Sequence, residues 1–217
     1  MKGFVITCEV LYTATFRKPS STSLILTYPL PPFTTVRGML ANALGLAQHD
    51  HSLQDRIKIG IRIIKQGYKN VEMAKILKLK ENNEKAIRDY PSSPMFREFM
   101  VQPIYQFFIT TSDDFAFQLH RALHFTKRPL YLGQSDDLVD ITVSDLKNIE
   151  TKIAKNFHSV VEGIHEDCIV EKLPYAFHQT KGRYSLEMKL VSIPKPGKTI
   201  AKEGTAFIFD GLNIELF

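Results

Sequence analysis

The sequence predicts an α+β fold: a ferredoxin-like (RRM-like) β-α-β-β-α-β domain over residues 1–143 that carries a basic hairpin insertion at 67–97, followed by a small β-rich lobe at 144–217. Three observations predict it. Two segments carry a helical apolar stripe, with Val36, Met39, Leu40, Ala43 and Leu44 in one and Phe115, Leu119 and Leu123 in the other. Four segments of strand character, 3–12, 56–66, 98–111 and 138–143, bracket them in the order this unit requires. Between the second and third of these, the chain abandons both periods and becomes dense in lysine and arginine.

Residues 3–12 are apolar at nearly every position, the pattern of a strand covered on both faces. Residues 13–27 are rich in Ser and Thr, with 24–26 as a short edge strand; Arg17 and Lys18 are candidate phosphate contacts there. Pro31 and Pro32 end that segment, Thr34 or Thr35 offers a hydroxyl to cap a helix over 35–46, and Gly45 is its stop. A helix with one apolar face needs a sheet beneath it. Arg37 and Gly38 fall in its first turn, where free N–H groups welcome an anion. In 56–66, Ile57, Ile59, Ile61 and Ile63 face one way and Lys58, Gly60 and Arg62 the other, a half-buried strand with a cationic outer face. Gly60 lets another group come close to that face. The insertion turns near Glu81–Glu84 and kinks at Pro91–Pro94. Residues 98–111 form an aromatic-rich strand, Ser112 caps a helix reaching His124, and 127–137 is a tight loop into the strand 138–143. Both helices then cover one sheet face and the other stays open. Residues 144–156 fit a helix or a polar connection; the rest alternates short strands (157–162, 168–173, 184–193, 206–209 and 212–216) with Pro and Gly turns.

A chain of 217 residues that is 44% hydrophobic can bury a sizeable core. Cys8 and Cys168 lie far apart without CxxC spacing, which argues against a disulfide framework or zinc knuckle and for a reducing cytoplasm. No run approaches the roughly 20 apolar residues of a membrane span. The apolar run before Glu9 is too short for a signal peptide, so no membrane partner is expected. The net charge of +5 is unevenly placed: from Arg56 to Asp89, ten Lys and Arg stand against four Asp and Glu, a net +6, which leaves −1 on the remainder. A basic surplus confined to one strand face and its insertion is a phosphate-binding footprint, led by Lys58, Arg62, Lys75, Lys78 and Lys80; the plainer reading is a soluble hairpin. An open basic and aromatic sheet face is a common RNA platform, although the usual RNA-recognition octapeptide is missing here.

Two segments resemble a known family. Pro31-Pro-Phe-Thr-Thr-Val-Arg-Gly-Met-Leu-Ala-Asn-Ala-Leu-Gly45 is similar to the proline and helix signature near the start of the CRISPR-associated Cas-five family. Arg128-Pro-Leu-Tyr-Leu-Gly-Gln-Ser-Asp-Asp137 is similar to that family's second signature, a proline followed by Leu-Gly and a Ser-Asp-type loop. The spacing between them also fits, and the similarity covers residues 1–143. The family belongs to the RAMP superfamily of guide-RNA proteins. The resemblance implies a structural subunit of a type I interference complex (Cascade) that binds CRISPR RNA and caps its 5′ handle in antiviral defence. It also implies contact with the backbone subunit (Cas-seven family) and the large subunit, and with target DNA indirectly. On this resemblance the insertion is a thumb over the guide, and Arg37 and Gly38 lie near handle phosphates. Lys127, Arg128, Gly133, Gln134 and Ser135 then form part of the handle pocket. The glycine-rich loop that many RAMP proteins carry near the C-terminus is missing. No cofactor or metal is implied.

One branch of the family cleaves repeat RNA without metal, so a metal-independent endoribonuclease is the alternative. His49-Asp-His51 has no third ligand at a recognisable spacing, and His120 with His124, one helical turn apart, fits half-buried packing. His178 lies near Lys181 and Arg183. No motif joins Tyr, Lys and His, and no catalytic residue is assigned.

Overall fold

The computed structural model describes residues 1–19, 24–77, 92–180 and 182–217. In chain order the elements are β1 (Lys2–Val10), β2 (Thr13–Ala14), β3 (Leu24–Ile25), α1 (Phe33–Leu44), a 3-10 turn (Ser52–Asp55), β4 (Ile57–Lys65), β5 (Tyr68–Leu77), β6 (Ser92–Val101), β7 (Ile104–Thr111), α2 (Asp113–His124) and β8 (Val139–Val143). The remainder contains β9 (Lys147–Asn148), β10 (Glu150–Phe157), β11 (Val161–Glu162), β12 (Ile169–Thr180), β13 (Arg183–Ile193), β14 (Ile200–Phe209) and β15 (Leu212–Ile214). The chain is a mixed α+β protein, mostly sheet, with two α-helices among the described residues.

The central sheet runs β4-β7-β1-β8, antiparallel throughout, with β9 paired to the start of β1. The alternation of β4 decides its placement: Ile57, Ile59, Ile61 and Ile63 are all buried on the helix side beside Phe4, Ile6, Tyr105, Phe107 and Ile109. Onto this face α1 lays Phe33, Val36, Met39 and Leu40, and α2 lays Phe115, Leu119 and Leu123. Full burial of each large apolar side chain contributes about 1.5–3 kcal/mol, so this layer dominates the stability of the fold. Both helical stripes match the sequence pattern, but the expected caps do not form. Helix α1 begins at Phe33, with Pro32 at the N-cap and no side-chain hydrogen bond. The N–H groups of Thr35 and Val36 bond the Pro32 carbonyl instead. Gly45 ends the helix at φ 70°, the left-handed stop expected. Ser112 sits at the N-cap of α2 without a side-chain bond, while Asp113 and Asp114 occupy its first turn, where the helix dipole favours acids.

The segment 98–111 is two strands. Gln102 adopts φ 47° and Pro103 has no N–H, so the ladder breaks there. β6 leaves with the insertion and β7 enters the central sheet. Within the insertion β5 and β6 pair in unbroken register from Tyr68↔Val101 to Leu77↔Ser92. Pro94 lies opposite Lys75 in that ladder, so it does not kink the chain. The turn at Glu81–Glu84, Pro91, Lys78 and Lys80 lie outside the described residues. The short strands β2 and β3 also pair with β6, β2 antiparallel and β3 parallel.

The second face of the central sheet is covered in part, contrary to the open face expected. Phe108 points outward and is buried with Phe209 and Ile214 from the last strands. Gly60 allows this approach: a Cβ there would collide with the Ile214 side chain and lie 3.0 Å from the Glu215 carbonyl oxygen. Phe217 exchanges both backbone hydrogen bonds with Ile59, at 2.9 and 3.0 Å, along the edge of β4. Residues 144–156 contain strand, β9 and all but the last residue of β10, and no helix. The β12–β13 hairpin leans on α1, and Leu173, Val191 and Ile193 join the main core.

Candidate nucleic-acid interface

The two proline-containing segments meet in space. The C-terminal end of α1 abuts the loop 127–137: Asn42 Nδ2 donates to the Pro129 carbonyl at 2.6 Å, and the Lys127 N–H to the Ala43 carbonyl at 3.1 Å. Arg128 Nη1 donates to the Leu46 carbonyl at 2.9 Å, placing a cation against the free carbonyls of the helix end. Asp137, buried, organises the loop from within. Its Oδ2 accepts the N–H of Thr15 at 3.0 Å and that of Gln134 at 2.9 Å. Burial pushes the Asp137 carboxyl up, and these two bonds pull it back only in part. Gly133 sits at φ 117°, where a Cβ would lie 2.7 Å from Asp137 Oδ2 and 2.9 Å from the Thr15 carbonyl oxygen. The close approach that demands this glycine is the protein's own.

Between α1 and this loop lies a cavity of about 800 Å³. Arg37, Gly38, Arg128 and Ser135, each singled out in the sequence, line it together. Four side chains to which the signatures assigned no role also line it: Asn42 on the helix, His49 and His51 on the loop after it, and Phe177 on β12. His51 stacks on Phe177 with ring centroids 4.7 Å apart, and Tyr184 of β13 stands edge-on to His51 at 5.7 Å. Gln54 ties this wall together, donating Nε2 to the Phe177 carbonyl at 2.9 Å and accepting the Phe177 N–H at 3.1 Å.

Arg37 is only 6% exposed. It follows from its place on the helix, because Phe33, Arg37, Leu40 and Leu44 share one stripe. Its Nη1 donates to the Tyr175 carbonyl, its guanidinium lies 4.8 Å from the Tyr175 ring, and Nε and Nη2 have no hydrogen-bond partner among the described residues. Burial pushes its pKa below the ordinary arginine value. Gly38 is the opposite case: it is exposed in the helix interior, and nothing lies within 4 Å of a Cβ built there.

The other sequence candidates lie elsewhere. Lys58 and Arg62 are on the far face of the central sheet, with Lys58 Nζ 5.7 Å from the Phe207 ring. Lys75 is exposed on the β5 arm of the insertion. Its neighbours on the ribbon are paired, Lys69 with Glu98 at 2.7 Å and Arg97 with Glu72 at 2.9 Å. Arg17 is exposed, and Lys18 meets Glu171 of β12 at 2.6 Å. Lys127 is exposed beside Gly45, and Gln134 is half-buried. His120 bonds the Ser144 carbonyl at 2.9 Å and packs on His124, while His178 pairs with Glu187 at 2.8 Å. Among the described residues no three His, Cys, Asp or Glu side chains gather to hold a metal ion, and no helix is long and apolar enough to cross a membrane.

A family model described as CRISPR-associated protein (Cas_Cas5) matches residues 10–189. The chain belongs to the Cas-five family. A search of curated proteins found no match to it. Among solved structures, a chain of a CRISPR RNA-guided surveillance complex is 16% identical with a TM-score of 0.61, covering 94% of this chain and 91% of that one. A CRISPR protein from Archaeoglobus fulgidus is 13% identical with a TM-score of 0.57, covering 99% and 98%. A chain of a Type III-B Cmr-beta complex bound to cognate target RNA and AMPPnP is 11% identical with a TM-score of 0.50, covering 91% and 85%. At these identities the likeness is one of fold, and this Cas-five chain shares it over nearly its whole length.

Proposed function

We propose that this Cas-five protein is a CRISPR RNA-binding structural subunit of a type I interference complex that caps the 5′ handle of the guide RNA. The single observation that carries this is the meeting of its two signature segments around one cavity, which gathers Arg37, Gly38, Arg128 and Ser135 from positions some ninety residues apart in the chain. Cations and small residues around a concave site suit a phosphodiester strand, whose negative charge dominates affinity. Two similar solved chains come from multi-subunit CRISPR assemblies, which agrees with a subunit that abuts a Cas-seven-family backbone subunit and a large subunit. On this reading the central sheet is the ferredoxin-like platform of a RAMP protein. The β5–β6 ribbon is the thumb, Lys75, Lys78 and Lys80 contact the strand, and the protein works in the cytoplasm.

A second reading, metal-independent cleavage of repeat RNA, draws on one observation: His49 and His51 lie at the same cavity as Arg37 and Arg128. One experiment separates the two. Purified protein is incubated with the repeat RNA of its host in EDTA and run on native and denaturing gels. Capping predicts a shifted, intact RNA. A discrete cut at the handle boundary would establish the nuclease instead, and absence of any shift at low salt would defeat the capping reading for the isolated chain.

A further inference from the structure

We infer that the outer face of β4, on the side of the central sheet away from α1 and its cavity, is a second nucleic-acid surface that holds the phosphate backbone of a DNA duplex through Lys58, Arg62 and Lys65. The inference does not depend on the capping reading. RNA in the cavity lies behind the sheet, and that reading gives these three cations no work.

The register of β4 sets them in one line. Lys58, Arg62 and Lys65 stand opposite Thr110, Gln106 and Ile104 of β7. These are the positions that share the outer face with Phe108. Strict alternation from Arg62 would turn Lys65 inward, but the ladder slips between Ile63 and Lys65. The extra residue at that bulge brings Lys65 back to the outer face. At the rise of a strand the three cations span about 20 Å.

Their charge is unspent. Among the described residues none of the three side chains makes an ion pair or a hydrogen bond; Lys58 Nζ lies 5.7 Å from the Phe207 ring. The acids that the last strands bring near this face are already neutralised, Asp210 by Lys147 and Glu215 by Lys202, each at 2.5 Å. Glu9 and Asp140 face each other on β1 and β8, and β7 stands between them and β4. The outer face is thus cationic along its β4 edge and acidic along its far edge, the complement of a rod of phosphates lying over β4.

The groups around Arg62 choose backbone over bases. Thr7, Gln106 and Thr142 line a hollow of about 250 Å³ beside it, and hydroxyl and amide groups of this kind join Arg in holding phosphate oxygens. The two rings in that hollow, Phe108 and Phe209, are buried against each other with centroids 5.1 Å apart. Neither is free to stack an unpaired base, as a single-strand platform requires. The strip is one strand wide, too narrow to span the minor groove across which RNA duplexes are recognised, so the occupant is DNA.

The test is a salt titration. Full-length protein is titrated by anisotropy with a labelled DNA duplex of arbitrary sequence, and the slope of log affinity against log salt is compared with that of the triple variant Lys58→Gln, Arg62→Gln, Lys65→Gln. The variant should lose about 2.7 from the slope, at about 0.9 for each duplex phosphate, so a fourfold rise in salt weakens wild type about 40-fold more than the variant. Its affinity for the repeat RNA of its host should not change. A control variant, Lys172→Gln, Lys195→Gln, Lys198→Gln, removes three exposed lysines of β12 and the turn before β14 and should keep the wild-type slope. If the β4 variant melts early, Lys58→Gln and Lys65→Gln singly, each expected to lower the slope by about 0.9, take its place. An unchanged slope in the β4 variant, or wild-type protein that binds no duplex at low salt, overturns the inference and leaves the capping reading standing. An equal drop in the control overturns it in favour of net charge alone. A matching loss on repeat RNA overturns it in favour of an RNA path over the sheet, and a larger loss on an RNA duplex of the same sequence overturns the assignment to DNA.

Discussion

Replacing Gly38 with alanine should make the protein more stable, and replacing it with leucine should make it a poorer RNA binder. Glycine in a helix interior costs about 0.5–1 kcal/mol relative to alanine, because its unfolded chain has more freedom to lose. At position 38 nothing lies within 4 Å of the added Cβ, so no clash offsets that gain. For a chain of this size each kcal/mol moves the melting temperature by about 2–4 °C, so Gly38→Ala should raise it by about 1–4 °C. Leucine has nearly the same helix propensity, and its side chain extends into the cavity that Gly38 lines. Gly38→Leu should therefore melt no lower than wild type while losing affinity for repeat RNA by about 5- to 150-fold, the range for one lost nucleotide contact. Thermal melting by circular dichroism and anisotropy titration read the two effects separately. A lower melting point for Gly38→Ala would refute the claim that this helix surface is free. Unchanged affinity for Gly38→Leu would refute the claim that RNA uses the cavity.

Gly133→Val should destabilise the fold, by about 1–3 kcal/mol for the left-handed backbone alone, since φ is 117° and the Cβ would lie 2.9 Å from the Thr15 carbonyl. Urea denaturation checks this; a wild-type midpoint would show that the loop yields easily. Replacing Lys75, Lys78 and Lys80 together with alanine should reduce the salt slope of RNA binding by up to about 2, at about 0.7 for each phosphate no longer neutralised. An unaltered slope would remove the ribbon from the interface. Glu98 gives a pH dependence. Burial alone would raise its pKa, but the ammonium of Lys69 at 2.7 Å and the Thr27 N–H at 3.0 Å hold it below the usual carboxylate value. A folded-state pKa below the unfolded one means stability that is complete above the unfolded pKa and lost as pH falls through the folded one. Glu98→Gln should thus flatten the acid limb of a stability–pH curve measured by urea midpoints; identical curves for the two proteins would refute the assignment.

Local periodicity made the central layer legible. The isoleucines of β4 and the stripes of α1 and α2 each point to one buried face, and each is buried as its spacing requires. Features set by distant partners were not legible. Gly60 does admit a close neighbour, but nothing in 56–66 tells that the neighbour is the chain's own Ile214. The break at Gln102–Pro103 had a signal in the proline, and the aromatic run on either side outweighed it. Arg37 also had one: it falls on the Phe33, Leu40 and Leu44 stripe, which forecasts burial, whereas a helix read from residue 35 put it in a first turn open to an anion; with α1 starting at Phe33 it lies in the second turn. The signatures located half of the cavity, since both are contiguous in sequence. The other half comes from residues 46–54 and from Phe177 of β12, whose docking onto α1 depends on tertiary contacts that no local pattern encodes.

Gln54 has a mechanical consequence. A primary amide offers one donor and one acceptor at nearly the spacing of a peptide unit, and Gln54 presents both to Phe177. It thus imitates a single residue of a missing neighbouring strand, and it occupies the stretch of β12 edge where another chain would otherwise zip on. One end of this arm is anchored in the turn that precedes β4, and the other grips the wall where Phe177 begins. The gap between hairpin and helix is consequently gauged by the length of one side chain. An asparagine in its place, one methylene shorter, must either draw the hairpin inward and narrow the mouth or let go of it and leave the edge bare.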